Sequence, residues 1–290
     1  MTAGERAQDQ LSEARLRYRP SDADRRLIAA ALAPWRALTD PRFYGLDRIR
    51  ADGAVLLVGN HTVFGMLDMP LMLGEIYRVT GRFVRGMADH AHFAVPGWRD
   101  VLVRQGGVRG TRENCRALLG AGEAVLVYPG GGREVAKRKG EKYQLLWKER
   151  VGFARLAIEA GCPIVPFGAV GAEESYDILL DADSPLLAPI RGLLERVGAR
   201  AELIPPLARG LGPTPLPRPE RFYFAFGEPI DTQRWAGQGE EGVRALRDEV
   251  RQAVQERIAF LLAEREVDPD RDLLTRTRRG LSGLRQAEPG

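Results

Sequence analysis

Ala54-Val55-Leu56-Leu57-Val58-Gly59-Asn60-His61-Thr62-Val63-Phe64-Gly65-Met66-Leu67-Asp68 is the stretch on which the fold turns. Its first five residues are an unbroken apolar run, short and closed by glycine, which reads as a strand buried on both faces of a sheet. The chain repeats the arrangement at Ala124-Val125-Leu126-Val127, which empties into Tyr128-Pro129-Gly130-Gly131-Gly132-Arg133-Glu134. Open α/β sheets carry their chemistry on loops that leave such strands at their carboxyl ends. The two loops are therefore expected to be halves of one active site.

Outward from these runs, helical and strand patterns alternate. Met66 to Val79 has Met66, Met69, Leu73, Ile76 and Tyr77 at helical spacing, with Gly81 as its stop. Arg82 to Gly86 reads as a second strand, Ala88 to Asp100 as irregular chain with a turn at Pro96-Gly97-Trp98, and Arg112 to Ala121 as a helix capped by Thr111. Tyr143 to Ala160 is expected to be helical and Pro163 to Val170 a strand, with Pro166 marking a bulge or a strand end. Prolines break residues 172 to 220 into short pieces, Arg221 to Phe226 reads as a late strand, and a charged helix spans about Gly242 to Arg265. Near the start, Leu27, Ile28, Ala31, Leu32, Trp35 and Leu38 recur at helical spacing beside Arg25, Arg26 and Arg36. That helix fits either a place on the core or an interfacial position on a membrane. Strands alternating with helices give an α/β fold: one domain with a central mixed, largely parallel sheet flanked by helices, an N-terminal amphipathic helical segment and a C-terminal helix.

Composition bounds the function. The chain has 290 residues, 44% of them hydrophobic, enough for one large α/β domain with helical additions. With 43 basic against 39 acidic residues the charge is only +4, which does not point to nucleic acid. Cys115 and Cys162 are too few and too far apart for a disulfide framework or a zinc site. No apolar run approaches the roughly 20 residues of a membrane-spanning helix, and the polar start lacks the core of a signal peptide. The expectation is a cytoplasmic protein.

Three histidines are available: His61, His90 and His92. His61 follows a buried strand in a loop loosened by Gly59 and Gly65, the position of a general base. Asp68 follows seven residues later, which inside one straight helix would be about 10.5 Å along the axis. The two can cooperate only if His61 lies in the loop and folds back over the first turn of the next helix. Asp89, His90 and His92 read as a polar loop rather than metal ligands. Gly-x-Ser-x-Gly is absent, and Gly130-Gly131-Gly132 lacks the Gly-Lys-Ser/Thr of a nucleotide loop. The three glycines fit either a tight turn or a set of backbone N–H groups aimed at an oxyanion. Glu134 is expected at the lip of this edge.

Taken in order, Gly59-Asn60-His61…Asp68, Gly106-Gly107-Val108-Arg109-Gly110-Thr111-Arg112-Glu113-Asn114, Tyr128 to Glu134, Ile164-Val165-Pro166 and Phe226-Gly227-Glu228-Pro229-Ile230 resemble the glycerolipid acyltransferase superfamily over roughly residues 50 to 231. Pro-Gly-Gly-x-x-Glu in place of Pro-Glu-Gly-Thr looks like the branch of type-two diacylglycerol acyltransferases and plant phytyl ester synthases, associated with neutral acceptors. The chain departs from that pattern in having six residues, not four, between His61 and Asp68, and in lacking hydrophobic anchors. The resemblance implies acyl transfer from acyl-CoA or acyl carrier protein to a lipid hydroxyl, with His61 as base and Asp68 orienting it. It implies Arg109, Arg112, Pro129, Gly130, Gly131 and Glu134 as substrate-binding residues, with Arg109 and Arg112, and Lys137 and Lys139 beside them, as candidates for the donor's phosphates. No metal or redox cofactor is called for. The acyltransferase domain would run over 46–265, between a helical lead-in at 1–45 and a polar tail at 266–290, on the inner face of a membrane. A catalytically silent lipid-binding protein and a lysophospholipid or glycerol-phosphate acyltransferase are the alternatives.

Overall fold

The apolar runs that open the two loops are neighbouring strands. In the computed structural model, which describes residues 18–95, 97–189, 192, 196 and 204–278, the chain begins with α1 (Asp22–Thr39), β1 (Arg42–Tyr44), β2 (Val55–Gly59) and α2 (Met69–Thr80). It continues through β3 (Val84–Ala88), α3 (His90–Ala94), α4 (Trp98–Arg104), β4 (Val108–Arg109), α5 (Arg112–Gly120) and β5 (Ala124–Val127). Then come α6 (Gly132–Val135), α7 (Gly152–Ala160), β6 (Ile164–Val170), β7 (Asp177–Leu180), β8 (Leu207–Arg209), β9 (Tyr223–Phe226) and α8 (Gly239–Val267). Residues 1–17 of the lead-in, Pro96 of the expected turn and residues 279–290 of the tail lie outside the described residues.

Seven strands form one mixed sheet in the order β1-β9-β6-β2-β5-β3-β4, while β7 and β8 make a separate antiparallel ribbon. Every neighbouring pair in the large sheet is parallel except β6–β9. The fold class read from the sequence is the one observed. Side chains alternate across a strand, so Leu56 and Val58 enter one core and Val55 and Leu57 the other. The first core is closed by α5, α7 and α8, whose Val243, Leu246, Val250, Val254, Ile258 and Leu261 recur every three or four residues and are all buried. Each such side chain contributes about 1.5–3 kcal/mol on leaving water. The second core is closed by α2, through Leu71, Met72 and Ile76, and by Leu32 and Trp35 of α1.

Helix α1 opens on Ser21 with a reciprocal capping box, Asp24 N–H donating to Ser21 Oγ at 3.1 Å and Ser21 N–H to Asp24 Oδ2 at 3.0 Å. It is tied to the domain by Trp35, whose indole N–H donates to Leu67 O at 2.9 Å and whose ring meets Phe222 edge-on. Leu27 and Leu38 face outward on the same helix. Among the described residues no helix is long and apolar enough to cross a membrane.

The structure corrects three readings and bears out a fourth. Helix α2 begins at Met69, not Met66, because Asp68 accepts its first N–H and Pro70 occupies the first turn. The stretch expected to be irregular holds α3, capped by Asp89, and α4. Helix α7 starts only at Gly152: in the preceding segment Tyr143 and Lys148 have positive φ, and the N–H groups of Tyr143 and Leu146 are taken by the carboxylates of Glu173 and Glu134. Pro166 lies inside β6 where the pairing on the β9 side shifts by one residue, from Phe167–Phe226 to the Ile164–Ile230 bridge, which is the bulge expected there. The alternation places its nitrogen on the side of β9, which has ended at Phe226, while Gly227 N–H donates to Pro166 O at 2.7 Å.

Candidate active site

The site grows from the end of β2. At Gly59 a Cβ would lie 2.4 Å from the Phe167 ring, so glycine is what lets strand and ring meet. Asn60 is buried and continues the ladder with its side chain, donating to Ala169 O at 2.9 Å and accepting from Ala169 N–H at 2.8 Å. His61 then leaves the sheet with both its backbone groups fixed. Its N–H donates to Glu134 Oε2 at 2.9 Å, and its carbonyl accepts from Lys137 Nζ at 3.1 Å. The imidazole stacks on the Tyr128 ring, 4.0 Å between centroids and 17° from parallel. Gly65, with φ 61°, backs onto its Cε1 edge, and a Cβ there would fall 2.2 Å from that carbon.

The partners beneath His61 are ionisable and buried. Glu134 is 0% exposed and spans two loops, accepting from His61 N–H through Oε2 and from Leu146 N–H at 2.9 Å through Oε1. Lys137 is paired with Glu173, both fully enclosed, and Glu173 also accepts from Tyr143 N–H at 2.7 Å. Burial first, then the charges of Lys137 and His92, pull the His61 imidazole down to about 3, so the ring is neutral at physiological pH. Burial pushes the carboxyls of Asp68, Glu134 and Glu173 up, and pushes the Tyr128 hydroxyl well above its usual range, with Asp68 and Glu134 adding to it.

The second loop leaves β5 one strand away. Gly130 has no room for a side chain, since a Cβ would lie 2.1 Å from Glu134 Cδ, and Gly131 adopts φ 53°, ψ −143°, a conformation suited to glycine. Gly131 N–H donates to Tyr128 O at 3.0 Å, whereas the N–H groups of Gly130 and Gly132 donate to no acceptor among the described residues. Arg150 Nη1 donates to the carbonyls of Pro129 and Gly130 at 2.7 and 2.6 Å and so engages the loop's oxygens. A neutral imidazole and two unengaged amides thus share one edge of the sheet.

The acyltransferase family model matches residues 40–170, which span both loops. The chain is 34% identical over 255 residues to phytyl ester synthase 2, chloroplastic, of Arabidopsis thaliana, covering 80% of this chain and 35% of that protein. It is 33% identical over 133 residues to the human DGAT1/2-independent enzyme synthesizing storage lipids, covering 46% of this chain and 40% of that one. Residues 40–170 are an acyltransferase-family domain. The chain spans about a third of the length of its plant relatives. The fold is also that of the 1-acyl-sn-glycerophosphate acyltransferase PlsC from Thermotoga maritima, with a TM-score of 0.51 at 18% identity over 86% of each chain.

Within this chain, the residues singled out in the sequence take unequal places. His61 lies in the loop, as expected. Asp68 does not reach it: its Oδ1 accepts from Thr62 Oγ1 at 2.9 Å and from Met69 N–H at 2.8 Å, so the carboxylate caps α2 and pins the loop through Thr62. Pro129, Gly130 and Gly131 form the second loop. Glu134 is not at the lip but beneath it, because two backbone donors claim both its oxygens. Arg109 and Arg112 are exposed at the end of β4, on the same sheet edge but three strands from β2, about 14 Å at ordinary strand spacing. Arg109 lies over the Phe93 ring at 6.0 Å. Lys137 faces inward to Glu173, so of the basic loop Lys139 is exposed and Lys137 is not. His92 Nδ1 accepts from the Trp98 indole at 3.2 Å, and among the described residues no group of three His, Cys, Asp or Glu is placed to hold a metal. The sequence reading missed the stacking of Tyr128, the part of Arg150 and the Lys137–Glu173 pair, and it read Gly65 as loosening the loop rather than as the residue that backs onto the ring. Of these only Gly65, a glycine close behind the histidine, carried a readable signal.

Proposed function

We propose that this protein transfers a fatty acyl group from a thioester donor, acyl-CoA or acyl carrier protein, to the hydroxyl of a neutral lipid such as diacylglycerol or a long-chain alcohol. The observation that carries this reading is the imidazole of His61, fixed by Tyr128 and Gly65 on the sheet edge that also carries the two unengaged glycine amides. A ring nitrogen of His61 takes the proton of the acceptor hydroxyl as its oxygen attacks the thioester carbonyl. The N–H groups of Gly130 and Gly132 receive the negative charge that develops on the carbonyl oxygen. When the tetrahedral intermediate collapses, the C–S bond breaks and the imidazolium returns its proton to the departing thiolate. Asp68 acts through Thr62, holding the loop that presents His61. Arg109 and Arg112 hold donor phosphates, a task to which guanidinium forks are suited. The named activities of the plant and human relatives support a neutral acceptor. The protein works at the cytoplasmic face of a membrane, attached peripherally, and uses no metal.

The missing hydrogen bond between His61 and Asp68 favours a second reading, a lipid-binding protein without turnover. One experiment separates them: long-chain acyl-CoA is supplied with diacylglycerol, lysophosphatidate and a long-chain alcohol, and CoA release and lipid products are followed. Wild type is expected to form one new ester from a neutral acceptor, with a loss of about 10²–10⁴-fold in His61→Ala. Lipid binding without thioester cleavage of acyl-CoA, or of acyl carrier protein loaded with the same chain and supplied in its place, would decide for the second reading.

A further inference from the structure

The antiparallel pair α1 and α2 encloses a groove of 580 Å³ that plays no part in the site above. Its orientation is fixed at both ends: Arg25 lies over the Tyr77 ring at 4.9 Å where α1 begins and α2 ends, and Trp35 bonds to Leu67 O at the other end. Its walls are apolar, made by Ile28, Leu32, Leu71, Leu73, Phe83 and Val84. Gly74 opens onto it from the middle of α2, and a Cβ there would meet nothing within 4 Å. Glycine in a helix interior costs about 1 kcal/mol relative to alanine, and here it leaves the groove clear.

The rim is charged in one sense. Five arginines line the groove, Arg25, Arg26, Arg36, Arg78 and Arg104, against Asp22 and Glu75. Glu75 is held by Arg36 and Arg78, and Asp22 by Arg25. Arg26 and Arg104 form no ion pair among the described residues. Both stand toward the end where α1 begins and β3 starts, the amino edge of the sheet, while His61 sits beyond the carboxyl edge. An apolar trough closed at one end by two unpaired guanidiniums matches an amphiphile with a single chain and an anionic head. With its head at the far edge from His61, such a molecule is not placed for acyl transfer.

We propose that the α1–α2 groove binds a free long-chain fatty carboxylate, its chain along Leu32, Leu71 and Phe83 and its head at Arg26 and Arg104, at a site separate from His61. This stands whether or not His61 transfers acyl groups. The test is equilibrium binding of radiolabelled palmitate to the full chain, with hexadecanol as the uncharged comparison. Wild type is expected to bind one palmitate saturably and hexadecanol at least about tenfold more weakly. His61→Ala should bind palmitate as wild type does. Gly74→Phe, which fills the groove and favours the helix, should lose binding by at least about tenfold with an unchanged circular dichroism spectrum. Arg26→Ala with Arg104→Ala should lose palmitate by a similar factor and leave hexadecanol unaffected. Folded Gly74→Phe that binds palmitate like wild type overturns the proposal, as does palmitate binding indifferent to the two arginines. Binding to phosphatidylglycerol vesicles that Gly74→Phe abolishes, with no palmitate binding, would make the groove a membrane contact instead and equally overturn it.

Discussion

Replacing Gly65 by alanine tests whether the placement of the His61 ring is what the first loop is built for. The added methyl would lie 2.2 Å from His61 Cε1 and 2.9 Å from each ring nitrogen. Carbon atoms in contact rest at about 3.5–4.0 Å, so the ring must retreat by about 1.3 Å or more. Tyr128 limits the retreat on its stacked face. A misplacement of about 1 Å at a reacting group costs about 10²-fold in rate, so kcat/KM for acyl transfer should fall about a hundredfold. Stability should fall far less, by about 1–2 kcal/mol, the cost of a left-handed backbone at a non-glycine residue. Gly53→Ala provides the control, because Gly53 has φ +72° and nothing within 4 Å of its Cβ position. It shares the backbone cost without the collision. Initial rates and urea midpoints of the two variants, measured side by side, separate the effects. Gly65→Ala turning over within threefold of wild type would refute the argument that this contact sets the imidazole's position.

Two further predictions rest on charge. Lys137→Met with Glu173→Gln removes the buried pair together and spares either partner from isolation; with the ammonium gone the imidazolium is less disfavoured, so the acid limb of kcat/KM should move from near pH 3 to higher pH. A limb that stays in place would show that Lys137 does not act on His61. Burial alone would raise the Asp268 carboxyl, but hydrogen bonds from Tyr223 and Arg221 outweigh it and hold the group down to about 2. Its folded value lies below its unfolded one of about 3.9, so its contribution is present above that value and is lost as pH falls through about 2. Asp268→Asn should therefore flatten the fall of the urea midpoint between about pH 4 and pH 2, and an unchanged slope would count against it.

What the sequence made legible follows from how locally each feature is determined. Val55 to Gly59 and Ala124 to Val127 are apolar on both faces, and a strand buried on both faces needs nothing more. Helix α1 carries its own start signal in Ser21 and Asp24. The segment from Tyr143 to Val151 did not declare itself, because Leu145 and Leu146 stand at helical spacing, eight and seven residues, from Phe153 in the true helix. What prevents the helix is the capture of two amides by Glu134 and Glu173, which lie elsewhere in the chain. Asp68 was misleading for a related reason. Its distance from His61 along the chain was readable, but its role as the cap of α2 depends on where the helix starts. Arg109, Arg112 and Lys137 looked alike as basic residues near glycine, and only the fold sends one of them inward.

If His61 is the base, as proposed, the buried carboxylates explain how it can be held without a carboxylate on its ring. A hydrogen bond to the imidazole would fix its orientation but not the backbone that carries it. Here the order is reversed: Glu134 takes the N–H of His61, Lys137 takes its carbonyl, and Glu173 anchors Lys137 while also holding Tyr143. The first loop is thereby joined to the second and to the segment before α7, so none of the three can shift alone. Side-chain freedom is then limited by contact, with Tyr128 on one face and Gly65 at one edge. A buried ion pair is a weak source of stability, and removing one partner costs about 3–5 kcal/mol. Its value in this site lies in geometry: the pair keeps the loops in register, and the Lys137 charge adds to burial in disfavouring the imidazolium, so under the proposed function the same lysine positions the base and helps to keep it neutral.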